Sequence, residues 1–272
     1  MTTIPFYKMN GLGNDFVIID ERVCDYKVDS VIAKKMADRE SGIGCDQLVV
    51  LRPSKIADCR VIFYNSDGSM SAACGNATRC IGSILMNERK SSRANIETDA
   101  GILQCMDAGE KGVAVNMGQA KTYWEDIPLE KPADTMSLPI GEGVLQNPVA
   151  VSMGNPHAVF FVDDVDAVDL DKLGPILEHH EIFPERANIG VAQVLSDHEI
   201  KLRVWERGAC ETQSCGTGAC AAAVAAKLKG FVYKDVKVIW PRGILYIHIA
   251  DNMNVTMTGA AEFEFAGDWE VK

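Results

Sequence analysis

The sequence predicts an α+β fold built twice, as two domains related by a pseudo-twofold axis. Three observations predict it. Short motifs recur in the same order at a near-constant offset. Each half alternates short runs rich in valine, isoleucine and aromatics with two helix-like segments. A proline-rich stretch separates the halves.

The elements can be taken in order. Gly13-Asn14 matches Gly154-Asn155 at an offset of 141 residues. Each pair leads into an apolar run closed by aspartate, Phe16-Val17-Ile18-Ile19-Asp20 and Val159-Phe160-Phe161-Val162-Asp163. Helix-like segments with acidic starts follow, near Asp29 to Arg39 and near Asp169 to His179. Ile43-Gly44 and Ile189-Gly190 come next, each with a glutamine three residues after the glycine, Gln47 and Gln193. The strand Arg60–Tyr64 aligns with Lys201–Trp205, and Cys74-Gly75 with Cys215-Gly216, again 141 apart. Gly101-Ile102-Leu103 matches Gly243-Ile244-Leu245, and Gly118 matches Gly259. Between the halves, Lys121 to Pro148 holds four of the ten prolines and little periodicity, and reads as a linker or edge segment. The halves are therefore drawn as residues 1–120 and 121–272, with the last residues free to return to the first half. A twofold axis sets equivalent residues face to face, so a ligand in the cleft between the domains would meet one copy of each motif from either side.

Composition narrows the function classes. The 272 residues are 47% hydrophobic and 24% charged, a globular balance. A formal net charge of -11 without a basic patch disfavours nucleic acid. No Lys/Arg run marks a membrane surface, no stretch is long and apolar enough to span a bilayer, and the N-terminus lacks a signal-peptide pattern. The expected compartment is the cytoplasm. Nine cysteines form an odd set without zinc-type spacing, so reduced thiols are expected rather than disulfides or a metal site.

Two of those thiols stand apart. Each repeated Cys-Gly opens a segment that becomes helical, so Cys74 and Cys215 are placed at helix N-termini. Unpaired backbone N–H groups there can bind a carboxylate, and the positive end of the helix dipole favours thiolate. Glycine next to the sulfur lets a ligand approach the backbone. Two such termini suit inversion of a stereocentre: a thiolate removes a proton from one face and a thiol returns one to the other. The N–H groups would stabilise charge building on the carboxylate. No lysine Schiff base is needed, so pyridoxal phosphate is not implied. A single cysteine beside a helix start reads best as a buried core residue. Duplication at equivalent positions, each followed by glycine, is what favours catalysis. Cys80 and Cys220 read as buried and inert, and Cys210 as a loop thiol near the site.

The motifs resemble those of the diaminopimelate epimerase family over essentially the whole chain. They run from Asn10-Gly11-Leu12-Gly13-Asn14-Asp15-Phe16 through Gly42-Ile43-Gly44-Cys45-Asp46-Gln47, Asn65-Ser66-Asp67-Gly68-Ser69, Cys74-Gly75-Asn76-Ala77-Thr78-Arg79-Cys80, Gly154-Asn155-Pro156-His157 and Arg186-Ala187-Asn188-Ile189-Gly190. The strongest block is Trp205-Glu206-Arg207-Gly208-Ala209-Cys210-Glu211-Thr212-Gln213-Ser214-Cys215-Gly216-Thr217-Gly218. The resemblance implies two domains, each a curved, mostly antiparallel sheet around a central helix. It implies conversion of LL- to meso-diaminopimelate for lysine and cell-wall synthesis, without cofactor or metal, and a homodimer. By motif, Cys74 and Cys215 are the acid/base pair. Gly75, Asn76, Gly216 and Thr217 contact the α-carboxylate. Asn14, Gln47, Asn65, Asn155, Asn188, Glu206 and Arg207 line the rest of the pocket, and His157 and Glu206 tune the thiols. The chemistry is consistent: Arg207 offers a fork for the distal carboxylate, Glu206 an acceptor for the distal ammonium, and asparagines serve either group. Cys210 departs from the pattern, standing where relatives often carry glycine.

Rival readings remain at this level. An epimerase-like racemase of another amino acid, such as histidine, shares the Cys-Gly motifs. Proline racemases share the two-thiol logic without a distal zwitterion. A non-catalytic ligand-binding relative would exchange no α-proton, and a redox-thiol protein would turn over a disulfide.

Overall fold

The computed structural model describes residues 3–24, 26–71 and 74–271. The chain divides into one unit of Met1–Val115 with Thr258–Lys272 and a second of Asn116–Met257.

In the first unit, β1 (Thr3–Gly11) and β2 (Asn14–Asp20) form an antiparallel hairpin in which Gly11 faces Asn14. Its two turn residues, Leu12 and Gly13, both have positive φ, 60° and 80°, the signature of a tight hairpin turn whose twist matches the strands. That turn sets Asn14 at the mouth of the hairpin. α1 (Ser30–Ala37) is capped by Asp29, whose carboxylate accepts the N–H groups of Val31 and Ile32. It crosses over to β3 (Gln47–Arg52), which runs parallel to β2 with Gln47 opposite Phe16. β4 (Cys59–Asn65) returns antiparallel and pairs with the short β5 (Met70–Ser71). α2 (Gly75–Arg89) then leads to β6 (Arg93–Thr98), parallel to β4. β7 (Gly101–Asp107) and β8 (Val113–Gln119) continue antiparallel.

The second unit repeats this order after a hairpin of β9 (Gly141–Glu142) and β10 (Leu145–Gln146). β11 (Val149–Ser152) and β12 (Pro156–Phe161) are antiparallel, and α3 (Leu170–Glu178), capped by Asp169, crosses to β13 (Asn188–Ser196), parallel to β12. β14 (Glu199–Glu206) returns, β15 (Cys210–Glu211) pairs with it, and α4 (Gly216–Leu228) crosses to β16 (Asp235–Trp240). β17 (Gly243–Ile249) and β18 (Asn254–Gly259) follow, and β19 (Glu262–Glu270) returns to the first unit as the antiparallel partner of β1.

In each unit the strands pack around one helix. α4 packs against β11, β12, β13, β14, β16 and β17. Ala219 through Ala226 have no exposed surface. A helix apolar all round belongs inside, and alanine lets surrounding strands come close. Gly230 closes this helix with φ 75° while Phe231 N–H bonds back to Ala226 O, a Schellman-type end. α2 packs against β1, β6 and β7, and Gly82 makes the last contact: a Cβ there would lie 2.8 Å from Cys105.

Two expectations need correction. Gln47 does not correspond to Gln193. Gln47 opens β3 and sits opposite Phe16, whereas Asn188 opens β13 opposite His157, so the true counterpart is Asn188, 141 residues on. Ile43-Gly44 precedes its strand while Ile189-Gly190 lies within one. A two-residue motif was enough to suggest the match, and strand register decides against it. The proline-rich stretch is not a loose linker either. Ile127, Leu129, Leu138, Ile140 and Leu145 are part of the second unit's core.

Candidate active site

With register settled, the polar residues singled out from sequence form pairs. Asn14 and Asn155, Gln47 and Asn188, Asn65 and Glu206, Cys74 and Cys215, and Asn76 and Thr217 are each 141 residues apart. In each unit they lie at the hairpin turn, at the start of one strand and the end of its antiparallel neighbour, and at the start of the central helix.

In the first unit, Cys74 is the N-cap of α2 with extended backbone, and its Sγ accepts the N–H of Ala77 at 3.5 Å. Cysteine here stands where serine or aspartate commonly caps, so the sulfur is drawn onto the positive helix end. Asn14 Oδ1 lies 4.0 Å from Cys74 Sγ and accepts from Asn76 Nδ2 at 3.4 Å. Gln47 donates to Asn65 Oδ1 at 2.9 Å, and Asn65 donates to Ser69 Oγ. Gln47 Oε1 is buried and has no hydrogen-bond partner among the described residues, an acceptor suited to an ammonium. Gly75 opens the helix beside the sulfur.

In the second unit, Cys215 is the N-cap of α4, and its Sγ accepts the N–H of Gly218 at 3.4 Å and lies 3.6 Å from Thr217 Oγ1. Thr217 Oγ1 accepts from Asn155 Nδ2 at 3.3 Å, and His157 Nε2 is 3.1 Å from Asn155 Oδ1. Asn188 donates to Pro156 O and accepts the backbone N–H of Arg207. The Arg207 guanidinium donates to Glu185 O, and Glu206 accepts the hydroxyl of Thr212. Gly216 is buried at the helix start.

The electrostatics differ between the two thiols' surroundings. Burial raises the Cys215 thiol well above its ordinary value, and the Glu206 carboxylate pushes the same way, against the hydroxyl of Thr217 and the N–H of Gly218. The helix terminus therefore does not make Cys215 a resting thiolate, contrary to the dipole argument taken alone. His157 is 1% exposed, and burial first, then the nearby Arg207 charge, depress it to about 3. It is neutral at physiological pH and reaches Cys215 only through Asn155 and Thr217. Burial pushes Cys80 up to about 12, an inert thiol, and Cys220 is fully buried. Cys210 is exposed with φ 64°, a left-handed backbone that explains why glycine suits this position.

Three supporting residues escaped sequence reasoning. Glu178, 3% exposed on α3, accepts Trp205 Nε1 at 2.7 Å and Gly208 N at 3.0 Å, gripping both sides of Glu206-Arg207. Asp46 and Arg79 hold the two ends of the Asn14–Asn76 pair. The repeat carried the signal: 141 residues away stand Ala37, Ala187 and Cys220, so these are charges that one half has and the other lacks.

The fold is thus a duplicated α+β unit with a cysteine capping each central helix, and its curated relatives are isomerases. The sequence profile described as diaminopimelate epimerase matches residues 6–123 and 149–264. A diaminopimelate epimerase of Rhodospirillum centenum is 46% identical over 265 residues, covering 97% of this chain and 91% of that protein. One of Sphingopyxis alaskensis is 47% identical over 266 residues, covering 97% of each. Among solved structures, a phenazine biosynthesis protein of the PhzF family from Bacillus anthracis superposes with a TM-score of 0.73 at 18% identity, covering both chains fully. A hydroxyproline epimerase from Agrobacterium vitis gives 0.69 at 14% identity, covering 98% of this chain and 92% of that one. These last two share the fold. The chain belongs to the diaminopimelate epimerase family.

Proposed function

We propose that the protein interconverts LL- and meso-2,6-diaminopimelate by moving a proton at one α-carbon between Cys74 and Cys215. The observation that carries this reading is the paired constellation: each pocket residue of one unit has its counterpart 141 residues on, with a cysteine capping a helix in both. One thiolate takes the α-proton, and the opposite thiol supplies a proton to the other face. Cys215, held protonated by burial and Glu206, is the donor when Cys74 is the base, and the roles reverse for the other epimer. Backbone N–H groups at Gly75, Asn76, Gly216 and Thr217 bind the α-carboxylate and stabilise the carbanionic charge. Arg207 and Glu206 take the distal carboxylate and ammonium, with Asn65, Asn155 and Asn188 completing the fit.

The reaction is placed in the cytoplasm, where the nine thiols stay reduced. A homodimer is part of the reading, supported by β19, whose Phe263 and Phe265 are 60% and 47% exposed. Light scattering at micromolar concentration tests it.

The experiment for the reaction uses reduced protein and LL-diaminopimelate in deuterated water without added cofactor. α-Proton loss is followed by NMR and stereochemistry by chiral chromatography. Conversion to the meso form with deuterium at the inverted carbon is expected, and Cys74→Ala or Cys215→Ala should each abolish it while leaving the fold intact. Substantial turnover in either variant would sink the two-base scheme. Exchange on histidine but not on diaminopimelate would point to another amino-acid racemase.

A further inference from the structure

The relay beside Cys74 has a polarity that can be read atom by atom. Asn14 Nδ2 donates to Asp46 Oδ2 at 2.7 Å. A carboxylate only accepts, so the amide nitrogen of Asn14 must face Asp46 and its oxygen must face the helix start. Asn76 Oδ1 accepts from Arg79 Nη1 at 2.8 Å. A guanidinium only donates, so Asn76 must turn its nitrogen toward Asn14, where it donates to Oδ1 at 3.4 Å. The two ends agree. The same Asn14 oxygen is the one 4.0 Å from Cys74 Sγ.

Both ends are anchored. Asp46 is held by Arg39 Nη2 at 2.8 Å and by the backbone N–H of Asp15 at 3.1 Å. Asp15 in turn pairs with Arg39 and Lys8 and lies well below the usual carboxylate range; burial opposes this, and the Arg39 and Lys8 hydrogen bonds outweigh it. Arg79 has no exposed surface, donates Nε to Ala260 O at 3.1 Å, and lies under Gly11, where a Cβ would stand 3.0 Å from its Nη2.

The equivalent relay in the second unit has neither anchor. Ala187 replaces Asp46 and Cys220 replaces Arg79. Asn155 turns its nitrogen toward Thr217, the Cys215 side, and its oxygen toward the neutral His157. An imidazole and a hydroxyl can each donate or accept, so that relay is reversible.

We infer that Asp46 and Arg79 are positioning residues that lock the Asn14 and Asn76 amides in one sense, so that Cys74 always meets a carbonyl acceptor while Cys215 meets a relay that can turn over. In the free protein a fixed acceptor favours the thiol form of Cys74; with substrate bound the same oxygen is taken by a donor on the substrate, which releases the sulfur to act as the base. The inference rests on Cys74 being a reacting thiol of the proposed epimerase.

The test is peptide-resolved labelling of Cys74 by limiting iodoacetamide at pH 7, read by mass spectrometry on the full-length protein, which reports the sulfur whether or not substrate turns over. Failure of the relay and failure of the epimerase reading are thereby separated. In Asp46→Ala, the residue that the second unit carries at the equivalent place, Asn14 loses the oxygen that holds its nitrogen and is free to turn over and point N–H at the sulfur. Labelling of Cys74 should quicken about three- to ten-fold, and the gain should vanish when Asp46→Ala is made in an Asn14→Ala background. No gain, or a gain that persists without Asn14 and is thus only the lost charge, overturns the inference. If Asp46→Ala does not fold, the other end is used: Arg79→Lys keeps a donor-only group and should leave labelling unchanged, while Arg79→Gln should quicken it. Equal labelling in those two overturns the inference as well.

Discussion

Replacing His157 by phenylalanine, the residue at the equivalent place in the other unit (Phe16), should make the protein less sensitive to acid. His157 is 1% exposed and its folded-state value is about 3, set first by burial and then by Arg207, against an ordinary value of 6.5. The folded-state value is depressed, so the unfolded chain binds the proton first. The stabilising contribution is complete above about pH 6.5 and is lost as pH falls toward 3. One and a half pH units below 6.5, at pH 5, the loss is about 2 kcal/mol. Urea unfolding of wild type and His157→Phe at pH 7 and pH 5 measures it. The variant loses the 3.1 Å bond to Asn155 at both values, a constant offset. Carboxylates titrate alike in both proteins and cancel in the difference. The drop in unfolding free energy from pH 7 to pH 5 should therefore be smaller by about 2 kcal/mol in the variant. Equal drops, within about 0.5 kcal/mol, would refute the picture of a buried neutral imidazole.

Glu178 and Cys210 yield two further expectations. Glu178→Gln should cost about 2–3 kcal/mol in urea unfolding, because one face of the amide turns a donor toward Trp205 Nε1 or Gly208 N. It should also raise KM more than it lowers kcat, since the loosened turn carries Arg207; wild-type stability would remove Glu178 from this role. Cys210→Gly should gain about 1 kcal/mol by relieving the φ of 64°, visible as a higher melting temperature, and a lower one would argue against backbone strain there.

Much of this was legible in the sequence because duplication turns weak local signals into paired ones. The Asp29 and Asp169 caps, the Gly13 and Gly154 turns and the two Cys-Gly helix starts are all short-range features, readable from neighbouring residues. The mismatch of Gln47 with Gln193 shows where reading fails. Strand register depends on the partner strand, and a glutamine three residues after a glycine says nothing about it. The packed role of Lys121 to Pro148 was hidden for a related reason: its five core residues follow no period because turns, not a helix or a long strand, present them. The depressed His157 and the raised Cys215 depend on burial by distant elements, which no motif encodes.

The divergence of the two units suits the proposed two-thiol reaction. A proton can cross a stereocentre between two thiols only if one is deprotonated while the other is not. Two identical half-sites would leave that choice unbiased, and half of the mixed states would face any given epimer the wrong way round. This chain keeps the cysteines and their helix caps alike and changes what surrounds them. Asn65 in one unit is Glu206 in the other, Ser66 is Arg207, and Phe16 is His157. The carboxylate of Glu206 and full burial bias Cys215 toward the thiol. Burial, with Arg207 second, keeps His157 neutral, so the imidazole adds no positive charge that would pull Cys215 the other way. In the proposed binding mode the same two residues, Glu206 and Arg207, take the distal zwitterion, so a substrate that engages them alters the charge felt at Cys215. In that proposed mode the residues that select diaminopimelate also set the protonation of the thiol that acts on it, and a shorter amino acid whose ammonium does not reach Glu206 should find Cys215 harder to deprotonate.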